Sequence, residues 1–90
     1  VVVAARARTD RRVHAVAPDL DGRDAFALDS LDDPGEGWAR YVRGVAALLD
    51  RAGDGLPGAD LAVAGDVPVG AGMSSSAALE VAVATALSAL

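Results

Sequence analysis

Several residue types are missing from this 90-residue chain, and each absence excludes a kind of site or binding partner. There is no cysteine, so the chain has neither a disulfide nor a thiolate nucleophile or metal ligand. There is no lysine, and the arginines are outnumbered by acids to give a net charge of −5. Without a basic stripe, a surface that holds nucleic acid is not expected.

Long hydrophobic runs are also lacking. The alanine-rich stretches are too short to span a bilayer, and no secretory signal precedes them, so we expect a cytoplasmic protein without a membrane partner. Hydrophobic residues nevertheless make up 52% of the chain, which suits one small domain. There is no initiator methionine, and Leu90 falls inside an apolar helical pattern. We therefore expect an internal piece of a longer chain.

Hydrophobic periodicity predicts the element order strand, strand, strand, helix, strand, helix. The predicted segments are 1–7, 13–17, 25–28, 36–52, 60–65 and a helix from about 76 to 90. The first two strands flank a polar turn around Thr9 and Asp10, which predicts a β-hairpin. In the third strand, Phe26 and Leu28 are expected to be buried.

The two helices and the fourth strand differ in their apolar patterns. The first helix is amphipathic, with apolar residues at helical spacing and its arginines, including Arg43, largely on the polar side. Its apolar positions are Trp38, Tyr41, Val42, Val45, Leu48, Leu49 and Ala52. The fourth strand and the last helix are more uniformly apolar. We expect the strand to be buried on both faces, and the helix to be central, with Val81, Ala82 and Leu87 covered.

A glycine- and serine-rich stretch, residues 68–78, separates the fourth strand from the last helix. Gly70 and Gly72 allow positive φ and a close approach of the backbone to a ligand. Ser74, Ser75 and Ser76 bring hydroxyls and unpaired N–H groups to the start of a helix. Oriented amides and the positive end of the helix dipole together suit an anion such as phosphate.

Three known motifs with glycine-rich turns each require a residue that this stretch lacks. A P-loop requires a lysine after its second glycine, but Met73 follows Gly72. A dinucleotide fingerprint requires a third glycine where Ser75 stands, so its match is weak. A nucleophile elbow requires glycine on both sides of Ser74, but Ser76 occupies the second position. A purely structural role, in which the turn only caps the helix, stays open as an alternative to ligand binding.

The stretch resembles the central ATP-binding motif of the GHMP kinases, whose pattern is Pro, three residues, then Gly-Leu-Ser/Gly-Ser-Ser-Ala. Here the chain reads Pro-Val-Gly-Ala-Gly-Met-Ser-Ser-Ser-Ala from Pro68, and Met73 in place of leucine is a mild departure. The triple serine and the Leu-Glu-Val-Ala that follows look like the galactokinase branch of the family. The segment 38–45 is similar to the Trp-x-x-Tyr-Val-x-Gly helix of the same branch.

This resemblance implies an α+β fold, the GHMP-kinase N-terminal domain with a mixed sheet packed against helices, of which residues 1–90 form a part without the C-terminal domain. It implies an ATP-dependent sugar kinase that phosphorylates the anomeric hydroxyl of galactose, with Mg²⁺ as cofactor and Ser76 as a metal ligand. The implied ATP-binding residues are Gly70, Ala71, Gly72, Met73, Ser74, Ser75 and Ser76. The catalytic base and the sugar ligands belong outside residues 1–90, so no catalytic residue is assigned here.

Two alternatives to a galactokinase remain, namely another GHMP small-molecule kinase and a non-catalytic sensor that binds sugar and ATP. Other polar residues favour ordinary roles. His14 is expected to face solvent or a strand edge, and the run Asp29, Asp32 and Asp33 fits a solvated loop better than a metal site. An aromatic at an apolar helical position, such as Trp38, favours packing over ligand stacking.

Overall fold

The computed structural model describes residues 1–53, 55–65 and 73–90. The elements follow the predicted order. They are strands β1 (Val2–Ala7), β2 (Arg12–Ala17), β3 (Gly22–Ala27) and β4 (Ala59–Ala64), and helices α1 (Trp38–Ala52) and α2 (Met73–Ser88). Short 3₁₀ turns, Pro18–Leu20 and Leu28–Ser30, flank β3.

The four strands form one mixed sheet in the order β1-β4-β2-β3. Strand β4 is antiparallel to β1 and parallel to β2, and β3 is antiparallel to β2. The predicted hairpin between β1 and β2 is therefore wrong, because β4 lies between them. The connection is instead held to the start of β4, since the N–H groups of Arg8 and Arg11 donate to the carbonyls of Gly58 and Pro57.

Strand β4 is central in the sheet but is buried on one face only, so the prediction of burial on both faces is wrong. Leu61 and Val63 are almost fully buried, whereas Ala62 and Ala64 are exposed. The same alternation runs through β2, where Val13 and Ala15 are buried and His14 is exposed as predicted. The described elements therefore form two layers, with the helices on one face of the sheet.

The core lies between this sheet face and the two helices. Phe26 and Leu28 belong to it, as predicted. Its buried members are Val13, Ala15, Ala17, Phe26, Leu28, Val42, Val45, Ala46, Ala59, Leu61, Val63, Leu79, Val83 and Leu87. Most are small, so the layers can approach closely.

Helix α1 begins at Trp38, after Gly37 with φ of 56°. Its predicted apolar stripe is only partly buried. Val42 and Val45 are buried, but Leu48 is 67% exposed and Ala52 is also exposed. The stripe is wider than the surface that the sheet and α2 cover.

Helix α2 begins at Met73, close to the predicted start near Ser75. Leu79, Val83 and Leu87 are buried, and they recur every four residues along one side. Val81 lies on the other side and is 67% exposed, so the prediction that it is covered is wrong. Within the described part of the chain, no helix is long and apolar enough to cross a membrane.

Candidate functional site

The start of α1 and the ends of two central strands lie at one edge of the sheet. The parallel strands β2 and β4 run toward this edge and end there at Ala17 and Ala64. The register pairs Ala17 with Gly22, so β3 begins at the same edge. We call this the upper edge, defined by Ala17, Gly22 and Ala64. The segment 66–72 connects the end of β4 to the start of α2.

The second part of the candidate site is the N-terminus of α2, the helix that follows β4 in the chain. The backbone of Met73, Ser74, Ser75 and Ser76 forms the beginning of the helix. The first four N–H groups of an α-helix have no partner within it, and the helix dipole is positive there. The first turn contains no acidic residue that would compete with an anion. This end of α2 can therefore bind an anion.

Part of the predicted ATP-binding set cannot be placed. Gly70, Ala71 and Gly72 lie outside the described residues, and the described side chains of α2 begin at Ala77. Glu80, which follows further along α2, is exposed. What the structure adds to the prediction is the residue at which the helix begins, Met73, and the central place in the sheet of the strand that precedes it.

The exit of β4 is fixed by a contact that the sequence did not predict. The N–H of Gly65 donates to Oδ2 of Asp19, at 2.9 Å, from the turn between β2 and β3. Gly65 has φ of 91°, a conformation that L side chains rarely adopt. A glycine directly after a strand could have indicated this special backbone conformation. The sequence does not show that Asp19, far away in the chain, is the hydrogen-bond partner of Gly65.

Trp38 lies at the upper edge, against the start of β3. A Cβ atom on Gly22 would be only 2.9 Å from Nε1 of Trp38, so the indole packs directly on this glycine. Trp38 is partly buried and packs against the core, which agrees with the packing role predicted for it. Trp38 therefore brings a flat aromatic surface to the upper edge, where β4 ends.

Arg43 is not on a solvated face, contrary to the prediction from the helical pattern. Its Nε and Nη2 donate to the two carboxylate oxygens of Asp24, at 2.8 and 2.7 Å. The side chains are only 14% and 13% exposed. Periodicity did not indicate this pair, because Asp24 and Arg43 lie on different elements, the edge strand β3 and helix α1.

A second charged cluster ties the opposite end of α1 to the sheet. Nη1 of Arg11 donates to Oδ1 of Asp50 at 2.6 Å and to the carbonyl of Leu56 at 2.7 Å. Hydrogen bonds from Arg11 and from the N–H of Leu56 hold the pKa of Asp50 below its usual value. Nη2 of Arg11 also contacts Asp29. This cluster lies away from the upper edge and fixes the end of α1.

The acidic run does not form a metal site among the described residues. Asp29 pairs with Arg11, and Oδ1 of Asp33 accepts the N–H of Gly35. In residues 1–53, 55–65 and 73–90, no three side chains of metal-binding type come together. This part of the chain therefore offers no metal cluster built from acidic or histidine side chains.

Comparison with known proteins agrees with this architecture. The family model for the GHMP kinases N terminal domain matches residues 40–90. The chain is 55% identical over 82 residues to a galactokinase of Roseiflexus sp. (strain RS-1), covering 91% of this chain and 21% of that protein. The crystal structure of Lactococcus lactis galactokinase complexed with galactose matches with a TM-score of 0.70 and 35% identity, over 96% of this chain and 24% of that chain.

These matches define the family. The model for the GHMP N-terminal domain covers more than half of the chain, and it includes most of α1 and all of β4 and α2. The chain belongs to the GHMP kinase family. It spans 21% of the Roseiflexus galactokinase and 24% of the Lactococcus galactokinase that it matches.

Proposed function

We propose that this chain is the ATP-binding part of the N-terminal domain of a cytoplasmic galactokinase. The whole enzyme transfers the γ-phosphoryl group of ATP to the anomeric hydroxyl of galactose, giving galactose 1-phosphate and ADP. One observation carries the proposal: helix α2, the next element after the central strand β4, begins at Met73, within the glycine- and serine-rich motif.

The phosphates of ATP are assigned to the start of α2. The N–H groups of this turn and the helix dipole stabilise negative charge, and Gly70 and Gly72 let the preceding backbone approach the phosphates. Phosphoryl transfer depends mainly on positioning and on neutralising charge, which is what such a site supplies. Residues 70–76 therefore form the proposed phosphate site.

The proposed metal is the Mg²⁺ that accompanies ATP. Mg²⁺ is commonly held by one or two protein groups together with substrate phosphates and water. The described residues hold no acidic cluster that would bind a metal independently of nucleotide, which fits a metal that arrives with ATP. Ser76, in the first turn of α2, is the proposed ligand, and the metal would neutralise charge on the phosphates.

Trp38 is the proposed neighbour of the nucleotide base. Its indole lies at the upper edge, where β4 ends before the chain continues to α2, and is partly buried against Gly22. A flat aromatic surface beside a phosphate site suits a base, because stacking adds to the binding of the phosphates. Among the residues of this chain, Trp38 is the proposed base contact.

Galactose as acceptor follows from the likeness to galactokinases. The Lactococcus relative was crystallised with galactose, and the triple serine of the present motif resembles the same branch. The groups that select the sugar and remove its proton are expected elsewhere in the whole enzyme. Residues 1–90 therefore account for the nucleotide, not for the choice of acceptor.

The test is an assay of the full-length natural protein with MgATP and galactose. Formation of ADP and galactose 1-phosphate in equal amounts is the expected result. Phosphorylation of homoserine, mevalonate or another sugar in preference to galactose would assign a different GHMP kinase. Binding of ATP and galactose without turnover would identify a sensor, and absence of ATP binding would leave the turn as a helix cap only.

A further inference from the structure

The ion pair between Arg43 and Asp24 calls for an explanation beyond stability. Taking two charges out of water is costly, and replacing a buried ion pair with apolar residues of similar volume is often neutral or stabilising. Here both side chains are largely buried and joined by two parallel hydrogen bonds. Such a bidentate fork fixes relative position and orientation, which an apolar contact does not.

Arg43 also organises the chain segment that leads into α1. Its Nη1 donates to the carbonyl of Asp33 at 2.9 Å, and its guanidinium lies 5.1 Å from the centre of the Phe26 ring. A Cβ atom on Gly35 would be 3.0 Å from Cδ of Arg43, and Gly35 has φ of 79°. One side chain therefore holds strand β3, the segment before the helix, and the helix itself.

The same two elements meet in the contact between Trp38 and Gly22. Trp38 starts the helix that carries Arg43, and Gly22 starts the strand that carries Asp24. Two contacts between one helix and one strand determine both the distance and the rotation of the helix. Core packing and the Arg11–Asp50 pair still hold the rest of α1 when the bidentate pair is lost. The first turns of the helix then lose their polar link to β3, and the indole at the upper edge is displaced.

We propose that Asp24 and Arg43 are a positioning pair that places Trp38 for the nucleotide base. The inference rests on the proposed function, because it assigns the pair a role in ATP binding. Neither side chain touches the nucleotide. Their effect passes through the start of α1, so they set the affinity for ATP rather than the chemistry at the γ-phosphate.

The first test is Asp24→Asn in the full-length enzyme. This change keeps the shape of the side chain but removes the charge that orients the guanidinium. We expect the KM for MgATP to rise roughly tenfold while kcat changes less than about threefold, since misplacement by ~1 Å costs up to ~100-fold and the lost interaction is the same in ground and transition states. An unchanged KM would overturn the inference.

A double variant separates positioning from stability. Asp24→Leu combined with Arg43→Met replaces the ion pair with apolar side chains and is expected to recover the melting temperature that Asp24→Asn loses. We expect the raised KM for MgATP to persist, because the fork and the contact to Asp33 are still missing. Recovery of both the melting temperature and the KM would show that the pair only stabilises the fold.

The matched control is Asp50→Asn, which breaks the partly buried ion pair at the other end of α1. We expect it to lower stability without raising the KM for MgATP, because that pair lies away from the upper edge. A rise equal to that of Asp24→Asn would overturn the inference, since any loosening of α1 would then suffice.

A spectroscopic readout makes the result independent of enzyme activity. Trp38 is the only tryptophan of residues 1–90, and its emission in the full-length enzyme is obtained as the difference between spectra recorded with Trp38 and with Trp38→Phe. Asp24→Asn should shift this emission to longer wavelength, and Asp50→Asn should not. An absent shift contradicts the positioning role. A wild-type enzyme without ATP-dependent turnover contradicts the proposed function instead, whatever the emission shows.

Discussion

Gly58 is the residue whose identity the fold constrains most tightly. It has φ of 108°, and a Cβ atom there would lie 2.7 Å from the carbonyl oxygen of Arg12 and 2.9 Å from its nitrogen. Backbone atoms in a strand cannot move away as a flexible side chain can. The close approach also allows the carbonyl of Gly58 to accept the N–H of Arg8, which brings β1 beside β4.

Gly58→Ala should therefore lower the free energy of unfolding by about 3 kcal/mol or more, from strain at positive φ together with the clash. Urea unfolding measures the change. Gly44→Ala is the matched control, because Gly44 is an exposed helical glycine whose added Cβ meets nothing within 4 Å. That change should instead stabilise the chain by about 0.5–1 kcal/mol. Equal changes in the free energy of unfolding for Gly58→Ala and Gly44→Ala would contradict the strain and clash assigned to position 58.

Ser76 is the residue on which the proposed metal site depends. In the full-length enzyme, Ser76→Ala should lower kcat on the order of a hundredfold, because it removes a contact to charge that develops in the transition state. Steady-state kinetics at saturating MgATP measure this, with Ser88→Ala at the far end of α2 as the control. If the Ser76→Ala enzyme kept wild-type turnover, Ser76 would not be a metal ligand and would only cap the helix.

Residue roles could be predicted where local pattern determines them. The burial of Phe26 and Leu28 followed from strand alternation, and the start of α2 followed from the serine-rich turn. The burial of Arg43 did not, since a charged residue on a helix is normally solvated and its partner is on another element. A buried ion pair is a long-range property that periodicity does not encode.

At the scale of elements, strand identity was predictable but strand pairing was not. Alternating residues indicate that 1–7 and 13–17 are strands, yet a short polar connection made a hairpin the natural expectation. The structure inserts β4 between them, using contacts near Gly58 that are distant in sequence. Strand β4 also has alanines on its outer face, and these give it an apolar sequence without burial on both sides.

Asp50 links the end of α1 to the start of β4 and should make stability depend on pH. Its pKa is lowered in the folded state by Arg11 and by the N–H of Leu56. The stabilisation is therefore fully present above the unfolded pKa, about 3.9, and is lost as the pH falls through the lower folded value. Asp50→Asn should show a smaller loss of unfolding free energy between about pH 5 and pH 2 than the wild type does.

Urea unfolding at several pH values measures this difference. Asp32→Asn is the matched control, because it removes one carboxylate in the same way from an exposed position. At neutral pH, Asp50→Asn should also cost about 1–3 kcal/mol through the polar groups that it leaves without a partner. An unchanged acid dependence of Asp50→Asn would contradict the role of this cluster.

The whole molecule presents apolar surface on the outer side of its helices. Leu48 on α1 and Val81 on α2 are each 67% exposed, although both follow apolar patterns that predicted burial. On the open face of the sheet, β4 also exposes the small apolar side chains of Ala62 and Ala64. The apolar patterns of the two helices predicted that more side chains would be buried than the described helices and strands can cover. This difference is consistent with the proposed origin in a larger enzyme, because the galactokinases that match are about four times as long as this chain.

The 90-residue chain alone should not phosphorylate galactose, even when folded. Positioning supplies most of phosphoryl-transfer catalysis, so a phosphate site without the acceptor pocket and the catalytic base lacks the arrangement as a whole. Purified chain incubated with MgATP and galactose should give no ADP or galactose 1-phosphate above the uncatalysed background. The full-length enzyme serves as the positive control. Turnover by the short chain that Gly72→Val abolishes would show that residues 1–90 hold a complete active site, and the assignment of the acceptor groups to other parts of the enzyme would be wrong.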